Sequence, residues 1–133
     1  MRKEDALSLI ACDYSPLLRY AEPFAAECYA LMNTRCYRPK TVIEYRRQAF
    51  VAKENDIRIT FDHQIAATES NFDLFDPKLI MHPVMAPNLA VLEVKYNGFL
   101  LSYIRQMLAG IDQSELSVSK YCMARQLSYQ PHL

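Results

Sequence analysis

Glycine is scarce in this sequence, because only Gly98 and Gly110 occur among its 133 residues. Phosphate-binding loops of the GxGxxG and Walker types need several glycines close together, where the backbone approaches the phosphate. Two isolated glycines exclude nucleotide binding through a glycine-rich turn.

The sequence also lacks paired metal-ligand motifs. Its four cysteines include no Cys-x-x-Cys pair, and none of its three histidines has a second histidine or cysteine at zinc-site spacing. The isolated residues are Cys12, Cys28, Cys36, Cys122, His63, His82 and His132. We expect reduced thiols, no zinc site, and surface or loop histidines.

Charge of one sign and long hydrophobic runs are missing as well. Fifteen basic residues balance fifteen acidic ones, so no overall positive field would attract nucleic acid or an anionic membrane. No apolar run reaches the roughly 20 residues of a membrane span, and the charged first residues do not resemble a signal peptide. These features predict a cytoplasmic protein with no membrane span and no nucleic-acid partner.

The hydrophobic pattern predicts one α+β domain over residues 1–133, with an antiparallel sheet and flanking helices. Helical spacing occurs in four segments and β-forming residues in three, separated by a turn-rich stretch at 68–87. The predicted helices are 3–11, 22–35, 100–108 and 118–127, and the predicted strands are 41–51, 57–62 and 90–96.

Two predicted strands carry charge on one face. Alternation places Arg58, Thr60 and Asp62 opposite an apolar face, and it places Glu93 and Lys95 together in a second strand. Solvent-facing strands show the same pattern, so an ordinary exposed role for Glu93 and Lys95 stays open.

The first strand is more informative, because Arg46 and Arg47 interrupt a run that is apolar on both sides. This pattern predicts that both faces of the strand are covered and that one arginine points inward. A half-buried arginine needs an anion or a carboxylate, and its planar fork matches phosphate oxygens. Pairing of Arg47 or Arg58 with Glu44 or Asp62 within the sheet is the structural alternative.

Five short motifs occur in one order along the chain and give it a resemblance to a known family. They are Arg38-Pro39-Lys40-Thr41, Tyr45-x-Arg47-x-Ala49-Phe50, Ile57-Arg58-Ile59-Thr60-Phe61-Asp62, Leu92-Glu93-Val94-Lys95-Tyr96 and Ser119-Lys120-Tyr121. In this order the chain resembles the VTC domain, the polyphosphate polymerase module of the vacuolar transporter chaperone family, in its bacterial form. The resemblance is strongest over residues 22–125.

The resemblance implies a triphosphate tunnel, an antiparallel barrel lined with basic side chains and acidic metal-binding residues. Arg47, Arg58 and Lys120 look like catalytic residues that bind phosphate, and Lys95, which would share the inward face of Glu93, is a further phosphate-binding residue. Glu93 is similar to the family's metal-binding glutamate, for Mn²⁺ or Mg²⁺. An exposed position on its helix remains the alternative for Lys120, and Tyr45 and Tyr96 are interpreted as sheet-packing aromatics.

The resemblance covers only the C-terminal half of the family domain, because residues 1–40 carry none of the family's early lysine and Arg-x-Arg motifs. Three or four strands cannot close a barrel of about eight, and open sheet edges favour pairing with another chain. We therefore expect part of a barrel. An open cup is one outcome, and the others are a homodimer joined at its edges and assembly with a complementing N-terminal half; self-association is favoured.

The resemblance implies binding of polyphosphate or a nucleoside triphosphate, with γ-phosphate transfer from ATP to polyphosphate in the complete family domain. The alternative is a non-catalytic polyphosphate-binding or triphosphate-binding module, or a truncated remnant that acts with a partner chain. A triphosphatase of the same fold would be expected to carry an N-terminal Glu-x-Glu-x-Lys motif, which the sequence lacks.

Overall fold

The computed structural model describes residues 1–111 and 118–129, and the chain divides into two compact units. The first comprises Met1–Val42 and Thr68–Ile80, and the second comprises Ile43–Ala67 and Met81–Leu133. In chain order the elements are α1 (Lys3–Ile10), a 3-10 helix (Ser15–Arg19), α2 (Pro23–Thr34), β1 (Val42–Ala52), a 3-10 turn (Glu54–Asp56), β2 (Ile57–Thr68), β3 (His82–Pro83), β4 (Ala90–Lys95), α3 (Ser102–Ala109), α4 (Lys120–Arg125) and a 3-10 helix (Gln126–Tyr129).

The helical part of the first unit forms where the sequence predicts it. The acidic first turn of α1 suits a helix N-terminus, and Pro23 occupies the first turn of α2, where its missing N–H costs nothing. The carboxylate of Asp5 is buried and accepts a hydrogen bond of 2.7 Å from the Tyr20 hydroxyl. Arg2 and Arg19 form ion pairs with the same carboxylate, so the buried charge of the first unit is compensated.

The second unit is built around β2, which is the central strand of a four-stranded sheet. β1 pairs with one side of β2, and β3 and β4 pair antiparallel with other stretches of it. The register with β4 runs from Arg58 opposite Lys95 to His63 opposite Ala90. The predicted mixture of helices and antiparallel sheet is confirmed. The sheet of the described residues is open, so the predicted barrel is not shown.

The turn between β1 and β2 is attached to the segment that follows β4. Asn55 and Asp56 adopt left-handed backbone conformations, with φ of 54° and 48°, which suits a tight turn and which asparagine and aspartate tolerate better than most residues. The Asn97 side chain donates to the Asp56 carboxylate at 2.9 Å, and the Asn55 side chain donates to the Phe99 carbonyl at 2.7 Å. These bonds connect the hairpin tip with the chain beyond β4.

The two faces of β2 differ in burial. Alternation is confirmed up to Asp62, because Thr60 is 2% exposed and Asp62 0%, whereas Ile59 and Phe61 on the opposite face are half-buried. Gln64 has a φ of 53° in mid-strand and interrupts the alternation, so that Ile65, Ala67 and Thr68 are the buried residues beyond it. Charged side chains from β1 and α4 contact Asp62.

The expectation that both faces of β1 are covered is wrong. Val42 is its only buried residue, and Phe50 and Val51 are 52% and 74% exposed. The physical reason is that β1 lies at an edge of the open sheet, with β2 as its only strand partner among the described residues.

Candidate functional site

One face of the sheet collects most of the charged residues that the sequence singles out. We call it the polar sheet face, and it consists of Tyr45, Arg47, Arg58, Thr60, Asp62, Glu93, Lys95 and Lys120. The strand register explains the grouping, because Arg58 lies opposite Lys95 and Thr60 lies opposite Glu93. Directly opposed residues of paired strands point to the same side of a sheet. Every member of this face belongs to the second unit.

Asp62 lies at the centre of the polar sheet face and is bound by two cations. The Arg47 guanidinium donates to both of its oxygens, Nε to Oδ1 at 2.6 Å and a terminal nitrogen to Oδ2 at 2.7 Å. Lys120 Nζ lies 2.5 Å from the same Oδ2 atom. A bidentate arginine contact fixes the orientation of both groups, so the arrangement around Asp62 is rigid.

The electrostatics of this cluster follow from its hydrogen bonds. The bonds from Arg47 outweigh the effect of burial and, together with Lys120, lower the pKa of Asp62 to about 2. The hydrogen bond to the Asp62 carboxylate in turn raises the pKa of Arg47. Asp62 and Arg47 are therefore both charged at neutral pH, and the Asp62 carboxylate is the ion-pair partner of two basic side chains.

The Tyr45 ring contacts both of these cations. The Arg47 guanidinium carbon lies 5.1 Å from the ring centroid and Lys120 Nζ lies 4.9 Å from it. Cations at this distance over an aromatic face are attracted by its negative potential. Tyr45 thus holds the two cations from one side while Asp62 holds them from another.

The position of Lys120 requires an explanation, because a cation in the first turn of a helix opposes the helix dipole. The Ser119 hydroxyl caps α4 by accepting the Cys122 N–H at 3.3 Å, which fixes where the helix starts and places Lys120 in its first turn. The Lys120 side chain is only 20% exposed and reaches Asp62. Its ion pair compensates the unfavourable end of the helix, and the alternative of an exposed helix lysine does not describe it.

Beside Asp62 the polar sheet face forms a small open cleft. It is lined by Arg47 and by the members not yet described, Arg58, Thr60, Glu93 and Lys95. Lys95 Nζ lies 2.9 Å from a Glu93 oxygen, with side chains 69% and 39% exposed. Lys95 lowers the pKa of Glu93, which keeps that carboxylate ionised. Arg58 is exposed and forms no ion pair or hydrogen bond with any other residue that the structure describes. The cleft therefore presents a cation without a counterion.

The structure thus brings all five predicted site residues onto one face. It also shows which of the two arginines, Arg47 and Arg58, pairs with a carboxylate. Arg47 pairs with Asp62, as the structural alternative proposed, whereas Arg58 pairs with neither Glu44 nor Asp62. Among the described residues this face holds four basic side chains and two carboxylates, an excess of two positive charges.

Sequence reasoning named Asp62 only as an alternative partner of Arg47 or Arg58, gave Thr60 no part in the site and interpreted Tyr45 as a sheet-packing aromatic. The available signal for Asp62 and Thr60 was their place on the same strand face as Arg58. Tyr45 lies two residues before Arg47 and so shares its face of β1, but no charge marks it as part of the site.

The polar sheet face could hold a divalent metal only if phosphate oxygens completed its ligand set. Within residues 1–111 and 118–129 there is no group of three or more histidine, cysteine, aspartate and glutamate side chains that could hold a metal ion. Asp62 is occupied by Arg47 and Lys120, so Glu93 is the available carboxylate. Mg²⁺ is commonly bound by one or two carboxylates together with substrate phosphates and water, and Glu93 suits such a shared site.

Comparison with known proteins gives a match to a protein family. The model of the VTC domain matches residues 1–129 of the chain, including the stretch before Glu22, where the five motifs give no resemblance. A search of curated proteins and a search of solved structures each found no match. In the part of the chain that the structure describes, no helix is both long enough and apolar enough to cross a membrane.

Proposed function

The chain belongs to the VTC domain family, and we propose on this premise that its polar sheet face binds polyphosphate or the triphosphate group of a nucleotide. The observation that carries the proposal is the Arg58 guanidinium, which lines the cleft beside Lys95 and has no carboxylate partner among the described residues. A phosphate chain would supply the missing negative charge.

Two pairs of basic residues on the polar sheet face have different roles in binding phosphate. Arg58 and Lys95 contact the phosphate oxygens directly, because no residue that the structure describes pairs with Arg58 and the described ion pair of Lys95 is exposed. Exposed ion pairs contribute little free energy, so phosphate can displace the one between Lys95 and Glu93. Arg47 and Lys120 are already oriented by Asp62 and Tyr45, which removes most of the entropic cost of placing them beside a ligand.

A divalent metal has a defined place in the proposal. Glu93 would hold Mn²⁺ or Mg²⁺ that arrives on the phosphate chain, once Lys95 turns from Glu93 to a phosphate oxygen. The bound ion would supply neutralisation of phosphate charge. The protein's own contribution is to position the chain along the face with its four cations.

The activity that family membership suggests for a complete domain is transfer of the ATP γ-phosphate to a polyphosphate end. Such transfer depends on positioning and charge stabilisation, and Arg47, Arg58 and Lys120 are the residues proposed to provide them. Formation of longer polyphosphate from ATP, followed by gel electrophoresis, tests for the transferase.

A non-catalytic binding module is the second candidate function, and the open sheet favours it. Water has access to the cleft from the exposed side of Lys95 and Glu93, and enzymes of this chemistry gain from excluding water. Edge strand β1 has no second strand partner among the described residues, so a homodimer or a complementing chain is the partner that would close the face. The mass of the protein in solution, measured with and without tripolyphosphate, tests this assembly.

The central experiment is calorimetric titration of the purified chain with tripolyphosphate, with and without Mn²⁺. One hydrogen bond to a charged group contributes roughly 1.5–3 kcal/mol, so Arg58→Ala is expected to weaken binding about 10-fold or more. Arg46→Ala is the matched control, because Arg46 is an exposed neighbour on the opposite face of β1. Equal affinities for wild type and Arg58→Ala, or equal losses in both variants, would contradict the proposal.

A further inference from the structure

Thr60 has a buried hydroxyl without a hydrogen-bond partner. The residue is 2% exposed, and its Oγ1 atom meets no donor or acceptor among the described residues. Leaving a buried hydroxyl unsatisfied costs on the order of 1–3 kcal/mol, and folded proteins rarely keep such groups without a reason. Valine has the same shape and favours strands equally, so packing in β2 does not explain why the residue carries a hydroxyl.

The place of this hydroxyl gives it a chemical context. Thr60 lies on the floor of the cleft whose other lining residues are Arg47, Arg58, Glu93 and Lys95, and it is directly opposite Glu93 in the strand register. Glu93 is turned toward Lys95 rather than toward the hydroxyl. The floor of a cationic cleft therefore holds a neutral donor that no group in residues 1–111 and 118–129 uses.

We propose that the Thr60 hydroxyl donates a hydrogen bond to an oxygen of the phosphate chain seated between Arg58 and Lys95. The inference rests on the proposed function and adds to it the residue that recognises the phosphate at the bottom of the cleft. Lys95 and Glu93 cover the floor with an exposed ion pair. When a phosphate oxygen draws Lys95 away, the hydroxyl becomes accessible and gains its missing acceptor.

This arrangement has a recognisable energetic signature. In the free protein the unsatisfied hydroxyl lowers the stability of the fold. In the complex it donates a hydrogen bond to a charged phosphate oxygen. Removing it should therefore stabilise the free protein, or leave its stability unchanged, while weakening binding. If the hydroxyl had a purely structural role, its removal would instead lower the stability of the free protein.

The test compares Thr60→Val, Thr60→Ala and Thr60→Ser by urea denaturation and by calorimetry with tripolyphosphate. Thr60→Val should be at least as stable as wild type and bind about 10-fold more weakly, in line with the loss of one hydrogen bond to a charged group. Thr60→Ala should lose affinity to the same extent, which separates the hydroxyl from the size of the side chain. Thr60→Ser keeps the hydroxyl and should retain most of the affinity.

Thr68→Val is the matched control on the same strand. Thr68 is 1% exposed, and its hydroxyl lies 2.9 Å from Ser70 Oγ and accepts the Ser70 N–H. This variant should lose stability and keep the wild-type affinity. Wild-type affinity in Thr60→Val, or a loss of stability in it that matches Thr68→Val, would overturn the inference.

The same titrations distinguish this inference from the proposed function. If wild type binds tripolyphosphate and Arg58→Ala does not, while Thr60→Val binds as wild type does, only the inference on Thr60 is wrong. If wild type shows no binding, or if Arg58→Ala binds as wild type does, the proposed function is wrong and the inference falls with it.

Discussion

Lys120 Nζ lies 2.5 Å from the Oδ2 atom of Asp62, and this contact attaches the first turn of α4 to the central strand of the sheet. The carboxylate that receives it is fully buried and already bound by Arg47. A single aspartate thus organises cations from a neighbouring strand and from a helix that follows much later in the sequence.

Replacing Asp62 with asparagine should destabilise the protein strongly. The substitution keeps the size of the side chain but leaves Arg47 and Lys120 without their shared counterion. Removing one partner of a buried ion pair costs about 3 kcal/mol or more, which urea denaturation would measure. Glu93→Gln, which breaks an exposed pair, is the control and should change the free energy of unfolding by less than about 1 kcal/mol. Equal losses in the two variants would show that Asp62 is not the organising group.

Stability should also depend on pH through Asp62. Its pKa is lowered from 3.8 to about 2 in the folded protein, so the unfolded chain takes up the proton first as the pH falls. The ionised carboxylate contributes its full stabilisation above about pH 4 and loses it as the pH falls toward 2.

Asp5, Asp13 and Glu93 also have lowered pKa values and change stability in the same direction. The difference in unfolding free energy between wild type and Asp62→Asn isolates the part due to Asp62. We expect this difference to shrink as the pH is lowered from about 5 to about 2.5. A difference that stays constant would contradict the assignment of the lowered pKa to Asp62.

Tyr45 should stabilise the polar sheet face through its ring and not through its hydroxyl. Tyr45→Leu removes the aromatic face shared by Arg47 and Lys120 and should lower the free energy of unfolding by about 1 kcal/mol. Tyr45→Phe retains the ring and should match wild type within about 0.5 kcal/mol. Thermal unfolding of the three proteins measures the difference, and a Phe variant as unstable as the Leu variant would assign the effect to the hydroxyl.

The metal dependence should require phosphate and Glu93 together. We expect Mn²⁺ alone to produce no binding heat, because a lone carboxylate is a weak metal site. With tripolyphosphate present, Mn²⁺ should strengthen binding to wild type, and Glu93→Gln should abolish that gain. Glu44→Gln is the matched control, since Glu44 is an exposed carboxylate on the other face of β1. A gain that persists in Glu93→Gln would remove Glu93 from the proposed site.

Local patterns in the sequence predicted the elements of the fold well. The predicted helices end within two residues of the observed ones, and the strand at 57–62 was found and continues to Thr68. Period-two alternation correctly grouped Arg58 with Asp62 and Glu93 with Lys95. These features depend on residues that are close in sequence, so the sequence carries them directly.

Burial of the polar face could not be predicted in the same way. Alternation separates two faces but does not say which one is covered, and Asp62 is covered by side chains from β1 and α4. Likewise, Thr60 lies opposite Glu93 only because β2 pairs with β4. Such contacts depend on where distant segments meet, which periodicity does not encode.

The positions of the polar sheet face along the chain have a consequence for folding. The hairpin of β1 and β2 requires only local closure, because its strands are separated by the turn at Glu54–Asp56, whereas contacts between distant segments require closure of longer loops. This hairpin supplies Arg47 and Asp62, while Lys95 and Lys120 come from segments that follow much later in the chain. An anion that needs all four cations therefore depends on the long-range contacts that pair β4 and dock α4.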